Sequence, residues 1–318
     1  MSERAPEAVL WDVLRGAMMT RALGIVCELD VANALADGPR HVDDLAGAAG
    51  IPTDTLYRVL RALASDGVFA EDTPHVFRNT DVSDRLRDAS WSSFAQLFGD
   101  LFYRAIGDLG RAVREDRATF ADTLGSEFWS WLKQHPHERA QFDRAMAGNK
   151  ERDASRLDEL DWRDGEVVVD LGGGNGALLR ELLRRRPALR GIVYDLPEAV
   201  RDETTFPDNL EFVEGSFFDG VPRGDTYVTS AILHDWNDDR AAAILRTVRS
   251  NAGNRARFLA LESVVPAGNE PSGAKWLDLL MLVISGRERT EPEWRALFES
   301  NGFQVESIEN GLIQARCR

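Results

Sequence analysis

A run of valines that leads into a glycine cluster constrains the fold of this chain more than any other stretch. Val167–Leu179 reads VVVDLGGGNGALL. β-Branched residues favour a strand, glycines allow a tight turn, and the alanine and leucines begin a helical pattern. Glycines also let a ligand approach the backbone closely, because they lack a Cβ atom. The stretch therefore predicts a strand–turn–helix unit, the first unit of a nucleotide-binding α/β sheet.

Short apolar segments then alternate with helical segments, which predicts a parallel, doubly wound sheet. The predicted strands are Glu166–Leu171, Gly191–Asp195, Leu210–Val213, Thr226–Ile232 and Phe258–Val264. The end differs, because a helix over Thr290–Asn301 precedes two strand-like runs, Gln304–Ile308 and Leu312–Ala315. Asn310-Gly311 between them is a strong hairpin signal, so the last strand is expected to be antiparallel.

The glycine cluster by itself leaves two cofactors open. Gly172-x-Gly174-x-x-Ala177 fits the dinucleotide fingerprint, in which alanine can replace the third glycine. Asp170 would repel a pyrophosphate but suits the ammonium and sulfonium cations of S-adenosylmethionine. The antiparallel ending is also not expected of a plain NAD domain. Asp195 ends the second strand and can accept hydrogen bonds from the ribose of either cofactor, so it does not discriminate between them.

The third predicted strand is followed by Gly215-Ser216-Phe217-Phe218-Asp219. A small polar residue next to an aromatic ring can contact the edge and the face of an adenine. Ser216 and Phe217 are therefore candidate cofactor contacts. For one of the two phenylalanines, packing in the core explains the sequence equally well.

The fourth predicted strand leads to His234, in the run ILHDW. Ligands of open α/β sheets bind at the carboxyl ends of the strands, so this imidazole lies where chemistry is expected. A histidine near its ordinary pKa can take the proton of a phenol as the hydroxyl attacks a methyl group. The fifth strand brings Glu262 to the same edge, and Glu288 lies in the loop before the last helix. A carboxylate beside the imidazole would fix its tautomer and stabilise its cation.

No metal site is expected. The carboxylates of Asp235, Asp238 and Asp239 are of the kind that binds hard metal ions. Asp238, however, is better explained as the N-cap of the helix that follows. Cys27 and Cys317 form no framework or ligand pattern, which suits a reducing, cytoplasmic compartment. No apolar run approaches the ~20 residues of a membrane span, and the start lacks the layout of a signal peptide.

The amino-terminal part predicts helices and a small β-wing. Ala8–Leu35 reads as one nearly continuous helix, whose apolar face must bury in its own core or against a partner chain. Residues 41–80 predict a winged helix-turn-helix, with Thr53 as a helix cap and a hairpin of Val68–Ala70 with Val76–Arg78. Such a unit often binds DNA, but this one carries six acidic residues against three arginines, and the chain has a net charge of −15. A protein that binds the major groove of DNA needs a basic surface. A role of this module in protein–protein contact is therefore favoured.

Six motifs occur in order: VVVDLGGGNG, VYDLPEAV, GSFF, ILHDWNDD, ALESVVP and SGRERT. As a set they resemble the successive motifs of the S-adenosylmethionine-dependent small-molecule O-methyltransferases. That family includes plant caffeic-acid and chalcone enzymes and bacterial polyketide-tailoring enzymes. The resemblance covers nearly the whole chain. It implies an α/β fold with a Rossmann-like methyltransferase sheet, parallel with an antiparallel carboxyl-terminal hairpin, plus an all-helical, winged-helix amino-terminal domain.

The resemblance also implies the domain organisation and the partners. Residues 1–95 would form a dimerisation domain, 96–156 a helical linker and substrate-pocket region, and 157–318 the cofactor-binding catalytic domain. The middle region is rich in aromatic side chains, most of which fit a core, although they could also wall a pocket for a flat ligand. A homodimer and a small-molecule acceptor from secondary metabolism, such as antibiotic biosynthesis, are implied, with no nucleic acid and no membrane.

By position, the resemblance implies His234 as general base, flanked by Glu262 and Glu288. The implied cofactor contacts are Gly172, Gly174, Asp195, Ser216, Phe217 and Ser230. The implied acceptor pocket contains Phe142, Met146, Asn149, Asp235 and Met281. Many relatives have Asp at the position of Ser216, and plant members have Lys at that of Ser230.

The sequence thus predicts a metal-independent O-methyltransferase that acts on a phenolic hydroxyl of an aromatic or polyketide-type metabolite. Some relatives on this fold have lost methyl transfer and act as decarboxylases, hydroxylases or cyclases. Those often lack the histidine, so His234 favours methylation. The residues also leave two other functions open, a winged-helix regulator and an NAD oxidoreductase.

Overall fold

A computed structural model of the chain describes residues 5–148, 150–197 and 207–318. They form two compact units. The first comprises Met1–Gly107 and His135–Gly148, and the second comprises Asp108–Gln134 and Asn149–Arg318. Each unit has an apolar core of its own.

The first unit is mostly helical. Its elements up to residue 107 are α1 (Pro6–Glu28), α2 (Val31–Ala34), β1 (Arg40–His41), α3 (Val42–Ala49), α4 (Thr53–Ser65), β2 (Phe69–Thr73), β3 (Val76–Asn79), α5 (Asp81–Arg85), α6 (Ala89–Gly99) and α7 (Leu101–Ile106). The next three helices belong to the second unit: α8 (Leu109–Glu115), α9 (Phe120–Leu124) and α10 (Phe128–Gln134). Helix α11 (Pro136–Ala147) belongs to the first unit, and α12 (Lys150–Asp158) belongs to the second. The predicted hairpin is confirmed, since β2 and β3 pair antiparallel and β1 joins β3.

Two local predictions for the first unit were wrong. The first helix does not continue to residue 35, because Asp30 takes a left-handed conformation (φ 55°) and separates α1 from α2. Thr53 does not cap α4. It is the first helical residue, and Pro52 holds the cap position with no side chain to bond the helix amides.

The apolar face of α1 is buried only towards its carboxyl end, where Val26 and Cys27 join the core. Leu10, Trp11 and Leu14 are 64%, 59% and 69% exposed. An exposed apolar patch of this kind is typical of a protein–protein contact.

The second unit contains the large sheet. After α12 its elements are β4 (Val167–Leu171), α13 (Ala177–Arg185), β5 (Arg190–Asp195), β6 (Leu210–Glu214), β7 (Thr226–Ser230), α14 (Asp238–Asn251), β8 (Arg257–Leu261), β9 (Val264–Val265), α15 (Gly273–Ile284), β10 (Arg289–Thr290), α16 (Glu291–Ser300), β11 (Phe303–Glu309) and β12 (Leu312–Cys317). Four leucines of α13 are buried against the sheet because they recur on one helical face.

The sheet has the order β11-β12-β8-β7-β4-β5-β6. The five strands from β8 to β6 are parallel, whereas β12 runs antiparallel to both β8 and β11. The predicted parallel sheet with an antiparallel ending is therefore confirmed. Asn310 (φ 50°) and Gly311 (φ 77°) form the hairpin turn, since these two residue types tolerate positive φ.

Two strands end earlier than predicted, and their ends show where the candidate site residues lie. Strand β7 ends at Ser230, so His234 lies in a short 3₁₀ turn, Leu233–Asp235, directly after it. Strand β8 ends at Leu261. Asn237, not Asp238, caps α14, because its side chain accepts the amide of Arg240 at 3.1 Å. Within the described ranges, no helix is both long and apolar enough to cross a membrane.

Candidate active site

The turn after β4 holds three glycines with positive φ, Gly172 (74°), Gly174 (56°) and Gly176 (77°). At Gly176 a Cβ atom would lie 2.8 Å from the ring of Phe212, whereas at Gly174 that position has nothing within 4 Å. The amide of Gly174 donates to Oδ2 of Asp195 at 2.7 Å and thereby ties the end of β5 to the turn. The turn therefore requires glycine, and its backbone borders open space at Gly174.

Ser216 and Phe217 follow β6 and lie close to this turn. The ring of Phe217 is 3.7 Å from the position that a Cβ of Gly172 would take. It packs edge-to-face with Phe218 and Trp236, at centroid distances of 5.0 and 6.2 Å. The hydroxyl of Ser216 accepts the amide of Phe218 at 3.2 Å. An aromatic ring and a hydroxyl thus lie where the end of β6 approaches the glycine turn.

His234 lies among carboxylates, with its side chain 13% exposed. Its Nδ1 is 2.6 Å from Oε1 of Glu288, whose side chain is fully buried. Its Nε2 is 3.4 Å from Oδ1 of Asp235. A carboxylate at Nδ1 favours the tautomer that carries its proton there, which leaves Nε2 as the basic nitrogen.

Glu262, the first residue after β8, bonds the backbone of the same turn. Its Oε1 accepts the amides of Ile232 at 3.2 Å and Leu233 at 2.8 Å. Its Oε2 is buried and has no hydrogen-bond partner among the described residues. The acids that contact the two ring nitrogens of His234 are therefore Glu288 and Asp235, while Glu262 bonds the backbone of the turn.

The turn is also held by the loop that carries Glu288. Arg289 is completely buried, and its guanidinium donates to the carbonyls of Leu233 at 3.2 Å and Trp236 at 2.8 Å. The amide of Arg287 donates to the carbonyl of His234 at 2.7 Å. These bonds fix the backbone on both sides of the imidazole, so the ring and its carboxylate partner are positioned by one loop.

Burial and mutual charge shift the pKa values of these groups. Burial lowers the pKa of His234, but the charges of Asp235, Glu288 and Glu262 outweigh it and raise that pKa to about 10. Burial raises the pKa of Asp235 to about 7, although the imidazolium opposes this rise. Burial likewise raises the pKa of Glu262. In the protein without a ligand at neutral pH, the imidazole is therefore protonated.

Ser230, at the end of β7, is part of a small polar network. Lys150, the first residue of α12, donates to the hydroxyl of Ser230 at 2.9 Å and to its carbonyl at 3.3 Å. The hydroxyl in turn donates to Asp153 at 2.7 Å. Asp170, on the neighbouring β4, is 2% exposed, and its Oδ2 has no hydrogen-bond partner among the described residues. Burial raises the pKa of Asp170 to about 7.

The predicted acceptor residues are spread over both units. Met281, on α15, is buried, and its sulfur lies 3.0 Å from the position that a Cβ of Gly286 would take, in the loop before β10. Phe142 and Met146 lie on α11 of the first unit, each half-buried. Asn149 lies outside the described residues.

A family model for the O-methyltransferase domain matches residues 106–304, and one for the O-methyltransferase dimerisation domain matches residues 11–88. The chain belongs to the O-methyltransferase family. This match confirms the predicted family and the enzyme class. The sheet topology and the structural neighbours confirm the fold class.

Individual relatives of this O-methyltransferase cover almost all of it. A phenazine O-methyltransferase of Lysobacter antibioticus is 35% identical over 95% of this chain and 92% of that protein. The solved structure of a mitomycin 7-O-methyltransferase has a TM-score of 0.90 at 31% identity and covers 98% of both chains. An O-methyltransferase from neocarzinostatin biosynthesis, solved with S-adenosylmethionine and 2-hydroxy-5-methyl naphthoic acid, has a TM-score of 0.82 at 31% identity, over 94% of this chain and 96% of that one. This neighbour binds S-adenosylmethionine, the cofactor predicted from the sequence.

Sequence reasoning missed three residues of this O-methyltransferase site: Lys150, Asp153 and Arg289. Arg289 directly follows Glu288, a predicted site residue, and this adjacency could have pointed to it. Lys150 is one of only three lysines in the sequence, but no local pattern connects it with Ser230. In the part of the chain that the structure describes, no three His, Cys, Asp or Glu side chains are grouped to hold a metal ion.

Proposed function

We propose that this O-methyltransferase methylates a phenolic hydroxyl of an aromatic or polyketide-type metabolite, with His234 as the general base. The observation that carries the proposal is the 2.6 Å contact of Nδ1 with Glu288, which leaves Nε2 as the basic nitrogen. His234 follows β7, and β7 is the direct neighbour of β4, which leads into the glycine turn. Base and cofactor turn therefore share one edge of the sheet, where ligands of open α/β sheets bind.

The residues around the glycine turn suit S-adenosylmethionine. The open space at Gly174 admits a ligand to the backbone. Oδ2 of Asp170, which is buried without a hydrogen-bond partner among the described residues, suits a ligand that carries positive charge. We assign the cofactor contacts to Gly172, Gly174, Asp195, Ser216, Phe217 and Ser230. When bound, S-adenosylmethionine supplies an electrophilic methyl group. The protein contributes orientation and proton removal.

A phenol suits a histidine base, because its hydroxyl ionises near pH 10 and a positioned imidazole can take that proton in the transition state. In the free protein, nearby carboxylates raise the pKa of His234 to about 10. His234 must first release the proton that it holds in the free enzyme. It does so more readily beside the positive charge of the bound cofactor, because a nearby like charge lowers the pKa of a cation.

We assign Asp235 and Met281, both in the second unit, to the acceptor pocket. The carboxylate of Asp235, 3.4 Å from Nε2 of His234, supports a role in orienting the acceptor hydroxyl. A methionine side chain suits a flat apolar ligand. The naphthoic acid bound by the neocarzinostatin relative supports an aromatic acceptor of this kind.

We also propose that the enzyme is a homodimer formed through its amino-terminal unit. The dimerisation-domain match at residues 11–88 supports this assembly. The exposed apolar residues Leu10, Trp11 and Leu14 of α1 would be covered by the partner, since burial of such surface stabilises a protein interface.

The test compares His234→Ala with wild type, using isotope-labelled S-adenosylmethionine and extracts that contain phenolic metabolites. Mass spectrometry should find a methylated product with wild type and at least about 10²-fold slower formation with the variant. His137→Ala, which removes an exposed histidine on α11, is the matched control and should behave as wild type.

Two results would contradict the proposal. Unchanged turnover in His234→Ala would favour decarboxylation or hydroxylation on the same fold. A labelled product methylated at nitrogen or carbon would exclude the phenolic hydroxyl. Affinity for S-adenosylhomocysteine should be equal in both proteins, which separates a lost base from a lost cofactor site.

A further inference from the structure

Lys150 presents an ammonium group at the edge of the sheet. Among the described residues it bonds Ser230 alone, through the hydroxyl and the carbonyl. Asp153, the acid in the same network, instead accepts the Ser230 hydroxyl and lies 3.7 Å from Arg156. No carboxylate among the described residues forms an ion pair with Lys150. An ammonium has three donors, so one is available to a ligand.

The position of this ammonium relates it to the cofactor turn. Strands β4 and β7 are parallel neighbours in which Asp170 pairs with Val228. Two residues further along each strand, Ser230 is therefore level with Gly172, the first glycine of the turn. The positive charge of Lys150 lowers the pKa of both Asp170 and Asp235. The charge of Lys150 thus acts on an acid of β4, the strand before the glycine turn, and on an acid of the Leu233–Asp235 turn.

A purely structural role explains this lysine poorly. It is the first residue of α12, where the positive end of the helix dipole favours an acid and opposes a cation. A serine or an asparagine would satisfy the same serine hydroxyl without a charge. The chain as a whole is strongly acidic, at −15, yet among the described residues neither Asp170 nor Asp235, whose pKa values its charge lowers, forms an ion pair with this group. Such a charge is better explained by a ligand anion.

We infer that Lys150 binds the carboxylate at the amino-acid end of S-adenosylmethionine. This inference rests on the proposed cofactor placement, in which the adenosine end lies at Asp195 and Phe217. The reactive sulfur must then approach His234, so the amino-acid end passes the ends of β4 and β7, where Lys150 lies. The acidic groups of this region, Asp170 and Asp153, suit the ammonium of the same ligand but repel its carboxylate.

Calorimetric titration with two ligands tests the assignment. S-adenosylhomocysteine carries the carboxylate, whereas its decarboxylated analogue, S-adenosyl-3-thiopropylamine, keeps the ammonium and lacks the carboxylate. Lys150→Met and Lys150→Gln should weaken S-adenosylhomocysteine binding about 10- to 100-fold, the usual effect of losing a charged hydrogen bond. Affinity for the analogue should not fall. Lys150→Arg should retain most of the preference for the carboxylate.

Controls separate the different kinds of failure. The matched control is Lys275→Met, because that ammonium also bonds backbone carbonyls, those of Gly268 and Glu270, and it should leave both affinities unchanged. Lys150→Gln keeps a donor for Ser230, and thermal melting shows whether the variants fold. An equal loss of both ligands, or no loss of either, would overturn the inference. If wild type binds neither ligand, the proposed cofactor site itself is wrong.

Discussion

The amide of Leu233 donates a 2.8 Å hydrogen bond to the carboxylate of Glu262. This acid was expected to flank the imidazole of His234. It bonds the backbone that carries the imidazole, and its charge contributes to the raised pKa of the ring. Glu288 instead bonds the ring directly, at 2.6 Å. The two glutamates therefore act on the same histidine in different ways, one through the backbone of the turn and one through the ring itself.

The two glutamates should respond differently to loss of charge. Glu288→Gln should lower turnover about 10²-fold or more, because the amide no longer stabilises the imidazolium or selects the tautomer. Glu288 raises the pKa of His234, so the rise of activity with pH should move to lower pH. Glu262→Gln should lose less, since its amide oxygen can still accept the amide of Leu233. Turnover measured across pH checks both, and a greater loss in Glu262→Gln would contradict the assigned roles.

Binding of the cationic cofactor should release protons. The pKa of His234 is about 10 in the free enzyme, and a sulfonium cation nearby should lower it. S-adenosylhomocysteine has a neutral sulfur and should release fewer protons. Calorimetry at about pH 8, between the ordinary and the raised pKa of histidine, in buffers of different ionisation enthalpy measures the difference. His234→Gln should abolish it, and equal proton release by both ligands in wild type would show that the sulfonium does not act on this imidazole.

Arg289 should act as a positioning residue. Besides the carbonyls of Leu233 and Trp236, its guanidinium bonds Asp238 at 2.8 Å. Arg289→Met should therefore lower kcat roughly 10- to 100-fold, as loss of a supporting contact typically does, while affinity for S-adenosylhomocysteine is retained. Arg289→Lys should not restore turnover, because lysine lacks the planar fork that serves several acceptors at once.

The control for Arg289 is Arg295→Met, which removes a partly exposed arginine paired with Glu291 on α16. It should leave kcat unchanged. Thermal melting normalises for any loss of folded protein. A parallel fall of kcat and cofactor affinity in Arg289→Met would indicate a role in binding and contradict the positioning role.

Asp170 should make the free enzyme less stable as the pH rises. Burial raises its pKa to about 7 in the folded chain, well above the ordinary value near 4. The folded state therefore favours the neutral carboxyl, and this stabilisation is complete below about pH 4 and is lost as the pH rises through about 7. Asp170→Asn has no charge to bury. Its unfolding free energy relative to wild type should thus increase between about pH 5 and 8, by on the order of 2 kcal/mol.

Urea unfolding of the free enzyme at several pH values measures this effect. Asp239→Asn, which removes an exposed carboxylate on α14, shows what loss of a solvated charge does. A constant difference between Asp170→Asn and wild type at every pH would mean that Asp170 does not titrate as inferred.

The sequence by itself determined the features that depend on local chemistry. Short apolar segments that alternate with helical segments specified the parallel strands. The glycines after β4 specified a turn that requires residues without a Cβ atom. Asn310-Gly311 specified the final hairpin in the same way. The set of motifs sufficed to identify the family, because each motif is continuous in the chain.

The tertiary structure alone decided which side chains meet. Lys150 and Ser230 are 80 positions apart, and their 2.9 Å contact exists only because α12 packs beside the end of β7. Which acid bonds the ring of His234 and which bonds its backbone likewise depends on the direction of side chains from three separate segments. Hydrogen bonds weaken within tenths of an ångström, and pKa shifts depend on burial and on the sum of nearby charges. Local periodicity carries none of that information, so the chemistry of the site emerges only from the packed structure.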